Sequence, residues 1–446
     1  MQKVKIAGIG AGPANLSFFQ QASEDDFDGD AVLFEEKAHV GGEGALSDGK
    51  FKTSEEFSTM RRRGSWSYVM QQQNHDRFFR MFLKTGVPYR EEPNPSDRMR
   101  KKSFYDRESA RIADRGLQNF EIRRENGTTL HVGTDNLRQY VNSIVDMISR
   151  KVEILCDHRV DDICPTEHGT FVISGNDGSF AIEAETVAMA PGRRKTPWFF
   201  RVMKALGAQT FRDHDLIGGR VTVPATSVWP EDAGVIAPCY RECSKPPTFN
   251  FCTCERGYLH RNSKMEFLDD HGRPVELVTV NGFSCAKKKS ELTNWALLTE
   301  VRQSEPPDMS TARILQDFVA RVNDHNTDPR KKTVECDLRG MVLGKHDALL
   351  THLFPGETFQ RIKGWMQKMA LLYQDTLDSS SRLVLPEVKL RGERVLTDEK
   401  LHPIGRDHRP IRNVYVIGDA GVGTNLYDAH IQGHCAGNDY AERSRS

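Results

Sequence analysis

Long apolar runs are missing from this sequence. No stretch approaches the roughly 20 apolar residues a helix needs to cross a bilayer, so no membrane association is expected. Net charge is missing too: 62 Lys and Arg balance 62 Asp and Glu. Nucleic-acid binders are usually basic overall, so no nucleic-acid partner is expected. The opening MQKVKIAGIG lacks the n-region, apolar core and cleavage site of a secretory leader. The nine cysteines are odd in number and scattered, and none stands in a paired C-x2-C arrangement. That argues against a disulfide framework and a zinc site, and for a reducing, cytoplasmic location with no metal. A P-loop, a nucleophile elbow, a His-Glu-x-x-His helix and any internal repeat are absent as well.

What is present is a chain of 446 residues, 38% hydrophobic and 28% charged, long enough for two or three domains. Val4 to Ile9 is an apolar run of the kind that makes a buried parallel strand. It leads into Gly10-Ala-Gly12-Pro13-Ala14-Asn15 and then a helical stretch from Leu16 to Gln21. Strand, glycine turn and helix in this order form a dinucleotide-binding fingerprint. Gly10 allows the tight turn, Gly12 admits a pyrophosphate, and the helix N-terminus supplies N–H groups and partial positive charge. The third position, ordinarily Gly or Ala, is Asn15. A second strand, Ala31 to Phe34, ends in Glu35-Glu36, where an acidic residue binds ribose hydroxyls. Glu35 suits the spacing to Gly41-Gly42, and Glu36 is the alternative.

The C-terminal part chooses the dinucleotide. The strand Asn413 to Ile417 runs into Gly418-Asp419, then Gly421, Gly423, Thr424 and Asn425, and a helical stretch from Leu426 through Gly437. This resembles the closing motif of the glutathione-reductase-like FAD superfamily. The resemblance implies that Asp419 contacts the ribityl chain and that the last helix, from Asn425 and Leu426, points its N-terminus at the flavin pyrimidine. A helix N-terminus there stabilises the negative charge of reduced flavin. A middle block fits the same pattern: a helix from Leu137 to Ile148, a strand from Val152 to Cys156, a hairpin of Phe171–Ser174 with Ala181–Ala184, and the turn Ala190-Pro191-Gly192. By the same resemblance, the Val160 backbone meets the adenine.

Three further segments narrow the match. Gly41 to Lys50 (GGEGALSDGK), Thr248 to Gly257 (TFNFCTCERG) and Val280 to Ser284 with Asn294 are similar to a family of uncharacterised FAD-dependent, or NAD/FAD-utilising, dehydrogenases. Members commonly continue the Cys-x-Cys with Pro-Gly-Gly, where this chain has Glu255-Arg256-Gly257. Gly10 to Ser17 (GAGPANLS) also looks like the start of flavin N-hydroxylating monooxygenases, but no second glycine-rich NADPH motif follows. NAD(P)H therefore enters the expectations only as a transient reductant.

Candidate reactive residues are weighed against plain packing. Lys50, with Ser47, ends a loop placed by the resemblance beside the isoalloxazine, where it can bond flavin N5 or hold an anionic substrate. His430, with Asp428 nearby, is a candidate acid or base, set against a structural histidine. Cys252 and Cys254 share one face of a regular strand and are a candidate redox pair, set against buried inert thiols. Arg61–Arg63 and Lys287–Lys289 read as solvated charge runs.

The fold expected is α/β: a discontinuous Rossmann-type FAD-binding domain over 1–55, 132–200 and 390–446. An inserted substrate domain, largely antiparallel β plus helical, takes 56–131 and 201–389. The function expected is an FAD-dependent oxidoreductase acting on a small organic substrate by hydride transfer at flavin N5. The alternatives are a monooxygenase using NAD(P)H and oxygen, and a protein that uses FAD structurally.

Overall fold

In this computed structural model, the described residues are 1–25, 27, 29–53, 66–92, 98–123, 129–192, 196–212, 214–228, 239–243, 245–268, 273–301, 311–326, 328, 330–390, 393–421 and 425–445. The chain forms two compact units. The first comprises Met1–Arg90, Thr129–Arg212 and Glu393–Ser446, and the second Glu91–Thr128 and Asp213–Gly392.

In the first unit the strands are β1 (Gln2–Ile9), β2 (Ala31–Phe34), β3 (Lys50–Lys52), β4 (Thr129–His131), β5 (Val152–Leu155), β6 (Val160–Pro165), β7 (Phe171–Gly175), β8 (Phe180–Met189), β9 (Thr210–Arg212), β10 (Glu393–Val395) and β11 (Val414–Val416). The helices are α1 (Pro13–Glu24), α2 (Tyr68–Lys84), α3 (Leu137–Ile148), α4 (Thr196–Ala205) and α5 (Leu426–Arg445). The main sheet runs β5-β2-β1-β8-β7-β6, with β11 paired to β8. Strands β5, β2, β1, β8 and β11 are parallel, and the β8-β7-β6 meander is antiparallel. The edge of β8 is shared: its first half pairs with β7 and its second half with β11. This is a Rossmann-type sheet. The parallel strands read as continuous apolar runs because both of their faces are buried.

Helix α1 is wedged against α5 through two glycines. A Cβ on Gly433 would lie 2.2 Å from Ala14 O, and one on Gly437 would lie 2.4 Å from Phe18 O. This contact carries α5 on to Arg445, past the Gly437 at which sequence alone ends it. Helix α2 belongs to the first unit, although the insertion expected over 56–131 included it. Its Phe78 and Phe82 pack on Phe51 of β3 at ring distances of 5.5 Å, and Phe78 packs on Tyr427 of α5 at 5.2 Å.

The second unit is built on a seven-stranded antiparallel sheet. Its order is Val334–Asp337, Arg382–Lys389, Leu216–Pro224, Leu292–Glu300, Thr248–Cys254, Cys239–Glu242 and Phe120–Arg123. A two-stranded ribbon, Tyr258–Leu268 with Pro274–Phe283, and helices that include Arg98–Asp114, Thr311–His325 and Thr358–Leu372 complete it. Trp295, Trp365, Tyr240, Leu297 and Phe318 fill its core.

Candidate functional site

The parallel registers bring five strand ends into one row. Ile9 of β1 lies opposite Phe34 of β2 and Met189 of β8; Phe34 lies opposite Leu155 of β5, and Met189 opposite Val416 of β11. Each strand therefore hands its chain to the same edge, where open α/β sheets bind ligands. Gly10, Glu35, Ala190 and the Gly418 turn follow directly from those ends.

The turn itself is tightly made. Gly10 has φ +86, and a Cβ there would lie 2.5 Å from Ala190 O. Gly418 has φ +68, and a Cβ there would lie 2.9 Å from the Ala14 Cβ. Both positions are closed to side chains for conformational and steric reasons alike. Gly12 differs: it is the N-cap of α1, extended, with no side-chain cap, and a Cβ there would meet nothing within 4 Å. Pro13 occupies the first helical turn, where its missing N–H costs nothing. Ala14 and Asn15 stand at the following positions of that turn, whose N–H groups have no intrahelical acceptor. A Cβ at Gly192 also meets open space.

Asn15 is fully buried, and its Nδ2 donates to the carbonyls of Ile9, Gly10 and Ala188 at 3.1, 3.0 and 3.1 Å. The Glu35 carboxylate accepts from Ala11 N at 2.9 Å and from Lys37 N at 3.0 Å, bracing the fingerprint turn against the end of β2. Burial pushes the Glu35 carboxyl up from its ordinary value, against the opposing pull of those two N–H groups. Glu36 is exposed. Gly41 N donates to Ala11 O at 2.8 Å, and a Cβ on Gly42 would lie 3.6 Å from the Gly12 Cα, so this loop lines the same turn. His158 N donates to Glu35 O at 2.9 Å, which carries the chain over the end of β2 to Val160 at the start of β6.

The closing segment is organised by residues that sequence reading missed. Gln432 of α5 accepts the Gly418 N–H at 2.9 Å. Arg394 of β10, buried, donates from Nη1 to Asp419 O at 2.7 Å and Gly421 O at 3.0 Å. Asn425 caps α5, its Oδ1 accepting from Asp428 N at 2.9 Å, so that Leu426 opens the helix. Gly423 and Thr424 lie outside the described residues, as do Arg61–Arg63.

Ser47 accepts from Gly49 N through its hydroxyl and from the Thr134 hydroxyl through its carbonyl. Lys50 pairs with His131 across β3 and β4, and both are buried. Alternation along the strands turns Lys50 and His131 to the face opposite Phe51 and Leu130, which fill the core. His131, like Gln432 and Arg394, is absent from the sequence-based candidates.

His430, weighed as an acid or base against a structural histidine, is buried. Its Nδ1 shares a 2.5 Å hydrogen bond with the Ser17 hydroxyl, and the rings of Phe51, Phe78 and Tyr140 surround it at 5.3, 5.9 and 5.4 Å. Burial drives its pKa down to about 3, which favours the neutral ring. The shared strand face expected of Cys252 and Cys254 is corrected. A bulge between Phe251 and Cys254, with Cys252 at φ +50, breaks the alternation.

No protein-family model and no curated protein matches this sequence. Among solved structures, the chain is similar to 3-ketosteroid delta1-dehydrogenase from Sterolibacterium denitrificans (10% identity, 99% of this chain and 100% of that one, TM-score 0.46). It is similar to 3-ketosteroid-delta4-(5alpha)-dehydrogenase from Rhodococcus jostii RHA1 (12%, 99% and 97%, TM-score 0.44). It is also similar to the FAD-bound L-alpha-glycerophosphate oxidase from Mycoplasma pneumoniae (11%, 99% and 95%, TM-score 0.43). Such distant likeness leaves the assignment of chemistry to the chain's own geometry.

Proposed function

We propose that this chain is an FAD-dependent oxidoreductase of the dehydrogenase or reductase type, acting on a small organic substrate by hydride transfer. One observation carries the reading: the fingerprint turn, Glu35, the Gly41-Gly42 loop, Ala190 and the Gly418 turn meet at one row of strand ends, around an uncapped helix N-terminus with open space above Gly12. The residues present fit the dinucleotide. The first turn of α1 is free to donate to a pyrophosphate. The Glu35 oxygens, each holding one backbone N–H, retain lone pairs for ribose hydroxyls. The N-terminus of α5 supplies partial positive charge for a developing flavin anion. Bound FAD would supply the hydride acceptor at N5. Lys50, buried opposite His131, is the residue assigned to orienting an anionic substrate group, and NAD(P)H is the proposed transient reductant. The proposal places the chain with the FAD-dependent dehydrogenases that its Gly41–Lys50 segment resembles.

The test is the visible spectrum of the purified protein. Flavin bands, with FAD released on denaturation, are expected. A colourless protein that takes up no added FAD overturns the proposal. Anaerobic mixing then sorts the reaction: bleaching by an organic substrate alone supports the dehydrogenase, whereas NADPH bleaching coupled to oxygen insertion replaces it with a monooxygenase.

A further inference from the structure

Helices α2 and α5 meet through groups that do not satisfy one another. His434 of α5 is buried, and neither of its ring nitrogens has a hydrogen-bond partner among the described residues. Gln71 of α2 is buried too, with its Oε1 left without a partner and its Nε2 3.5 Å from the Tyr427 hydroxyl. His75 of α2 reaches the same hydroxyl through Nδ1 at 2.9 Å. Phe78 of α2 closes the contact against the rings of Tyr427, His430 and His434 at 5.2, 5.9 and 6.3 Å. A buried polar group without a partner carries a desolvation cost that an apolar side chain does not.

The charges around these rings oppose protonation in place. Arg77 and Arg80 of α2 act on His434 with like charge, and His430 is its ionisable neighbour on α5. His75 has Asp76 beside it on α2 and faces Tyr427 of α5, itself near Asp428 and Asp76. His430 bonds Ser17 of α1 and lies 3.5 Å from the Tyr140 hydroxyl of α3. Among the described residues, no carboxylate accepts a hydrogen bond from any of the three histidines. A proton gained by His434 while α2 is docked would make a buried cation with arginines nearby and no acceptor.

We propose that α2 is an acid-released arm: it opens from α5 as a unit while the parallel sheet stays folded, and it takes up protons on His434 and His75 as it opens. The helix is otherwise held by Phe78 and Phe82 on Phe51, by the Lys84–Glu24 pair to α1, and by a 3.5 Å bond from Gln20 Nε2 to Met81 O. Tyr68, Val69 and Leu83 stay exposed along it, so part of its apolar surface contributes nothing to docking. Segments with few buried apolar contacts open locally at a lower free energy than the core. Opening withdraws Phe78 and Phe82 from Phe51 and so removes the packing behind β3.

Burial holds His75 below the ordinary histidine value of 6.5 while α2 is docked, and burial with the nearby cations holds His434 well below it. Water restores the ordinary value once the arm is open. The open form therefore binds more protons, so docking is fully favoured above pH 6.5 and loses ground as pH falls. Between about pH 7.5 and 5.5, a histidine that gains its proton only on opening multiplies the opening equilibrium by about tenfold. His434 supplies the larger share, because Arg77 and Arg80 oppose its charge in the docked form. His430 keeps its contacts to Ser17 and Tyr140 and is not required to titrate.

The experiment is hydrogen exchange on the purified full chain, followed by peptide mass, with rates corrected for the intrinsic effect of pH. From about pH 7.5 to 5.5, opening of the Tyr68–Lys84 amides should grow by about tenfold to a hundredfold. The Gln2–Ile9 amides of β1 should stay protected over the same range. His434→Leu removes one protonation site and the buried orphan nitrogens. It should cut the growth to less than about tenfold, whereas His75→Gln should leave most of it. Corrected exchange of α2 that does not change with pH overturns the proposal, as does opening of α2 and β1 in step. A folded His434→Leu variant that keeps the full growth overturns it too. Where that variant fails to fold, the comparison of α2 with β1 in the wild-type chain decides.

Discussion

Gly12→Asp gives two effects of opposite sign. Gly12 sits at the N-cap of α1 with φ −84 and ψ −178, a conformation open to any residue, and a Cβ there meets nothing within 4 Å. In the apoprotein the new carboxylate accepts from the free N–H groups of the first turn. Replacing a glycine cap by aspartate gains a few tenths of a kcal/mol, and the charge at the helix N-terminus adds about 0.3–1 kcal/mol. The apoprotein should therefore gain about 0.5–1 kcal/mol. The same carboxylate occupies the donors assigned to the pyrophosphate and sets its charge against it. Loss of a single charge-assisted hydrogen bond costs about 1.5–3 kcal/mol, a weakening of FAD binding by roughly tenfold to more than a hundredfold. Urea unfolding of the apoprotein and fluorescence titration with FAD read the two terms separately. Unchanged FAD affinity in a folded variant would falsify the placement of the pyrophosphate over Gly12, and a destabilised apoprotein would show that the space there is not open. Gly10→Ala is the contrasting control: with φ +86 and Ala190 O at 2.5 Å, it should destabilise the chain before any cofactor is added.

Gly437→Ala forces a methyl against Phe18 O at 2.4 Å; overpacking of this kind costs about 1–3 kcal/mol, and an unchanged urea midpoint would refute the close α1–α5 contact. Acid should loosen the first unit from pH 6.5 downward, because burial holds His75, His430 and His434 below the ordinary histidine value of 6.5. The unfolded chain binds those protons more readily, so stability present above pH 6.5 is lost as pH falls; His430 alone contributes about 2 kcal/mol between pH 6.5 and 5. A pH-independent unfolding free energy over that range contradicts this. Arg394→Gln removes a charged donor from the carbonyls of Asp419 and Gly421; FAD affinity should fall by tenfold or more, at about 1.5–3 kcal/mol per charged hydrogen bond, while a titration matching wild type would show that the closing turn holds without it.

The parts of the candidate site legible in the sequence are those where backbone geometry dictates residue type. Gly10 and Gly418 have positive φ, and a Cβ would crowd the Ala190 carbonyl at the first and the Ala14 Cβ at the second, so the sequence must write glycine there. The apolar parallel strands and the amphipathic α3, Leu137–Ile148, are legible for a similar local reason. What local pattern does not record is the partner. The polar sequence of α2 gives little sign that Phe78 and Phe82 join the core around Phe51. The position of His430 on α5 is readable, but not that its ring faces Ser17 and three aromatic rings rather than the site edge. Arg220 and Glu387 form a buried ion pair across 167 residues of sequence, and nothing near either announces it. Alternation along Thr248–Cys254 fails because a bulge, invisible in composition, inserts one residue.

Asn15 shows how a departure from a motif can keep its purpose. The third fingerprint position is normally small so that the helix can approach the sheet. Here the side chain fills that place and turns the close contact into a clamp, with Nδ2 bonded to three carbonyls at the ends of β1 and β8. Its Oδ1 is buried without a hydrogen-bond partner, so the clamp carries a desolvation cost that a glycine or alanine would not. The close approach is made on the other side of α1, where Gly433 and Gly437 admit the backbone of Ala14 and Phe18. Helix α1 is thus fixed by hydrogen bonds toward the strands and by glycine contacts toward α5. Its N-terminus is held at the row of strand ends from both sides, which is the preorganisation an anion-binding helix terminus requires.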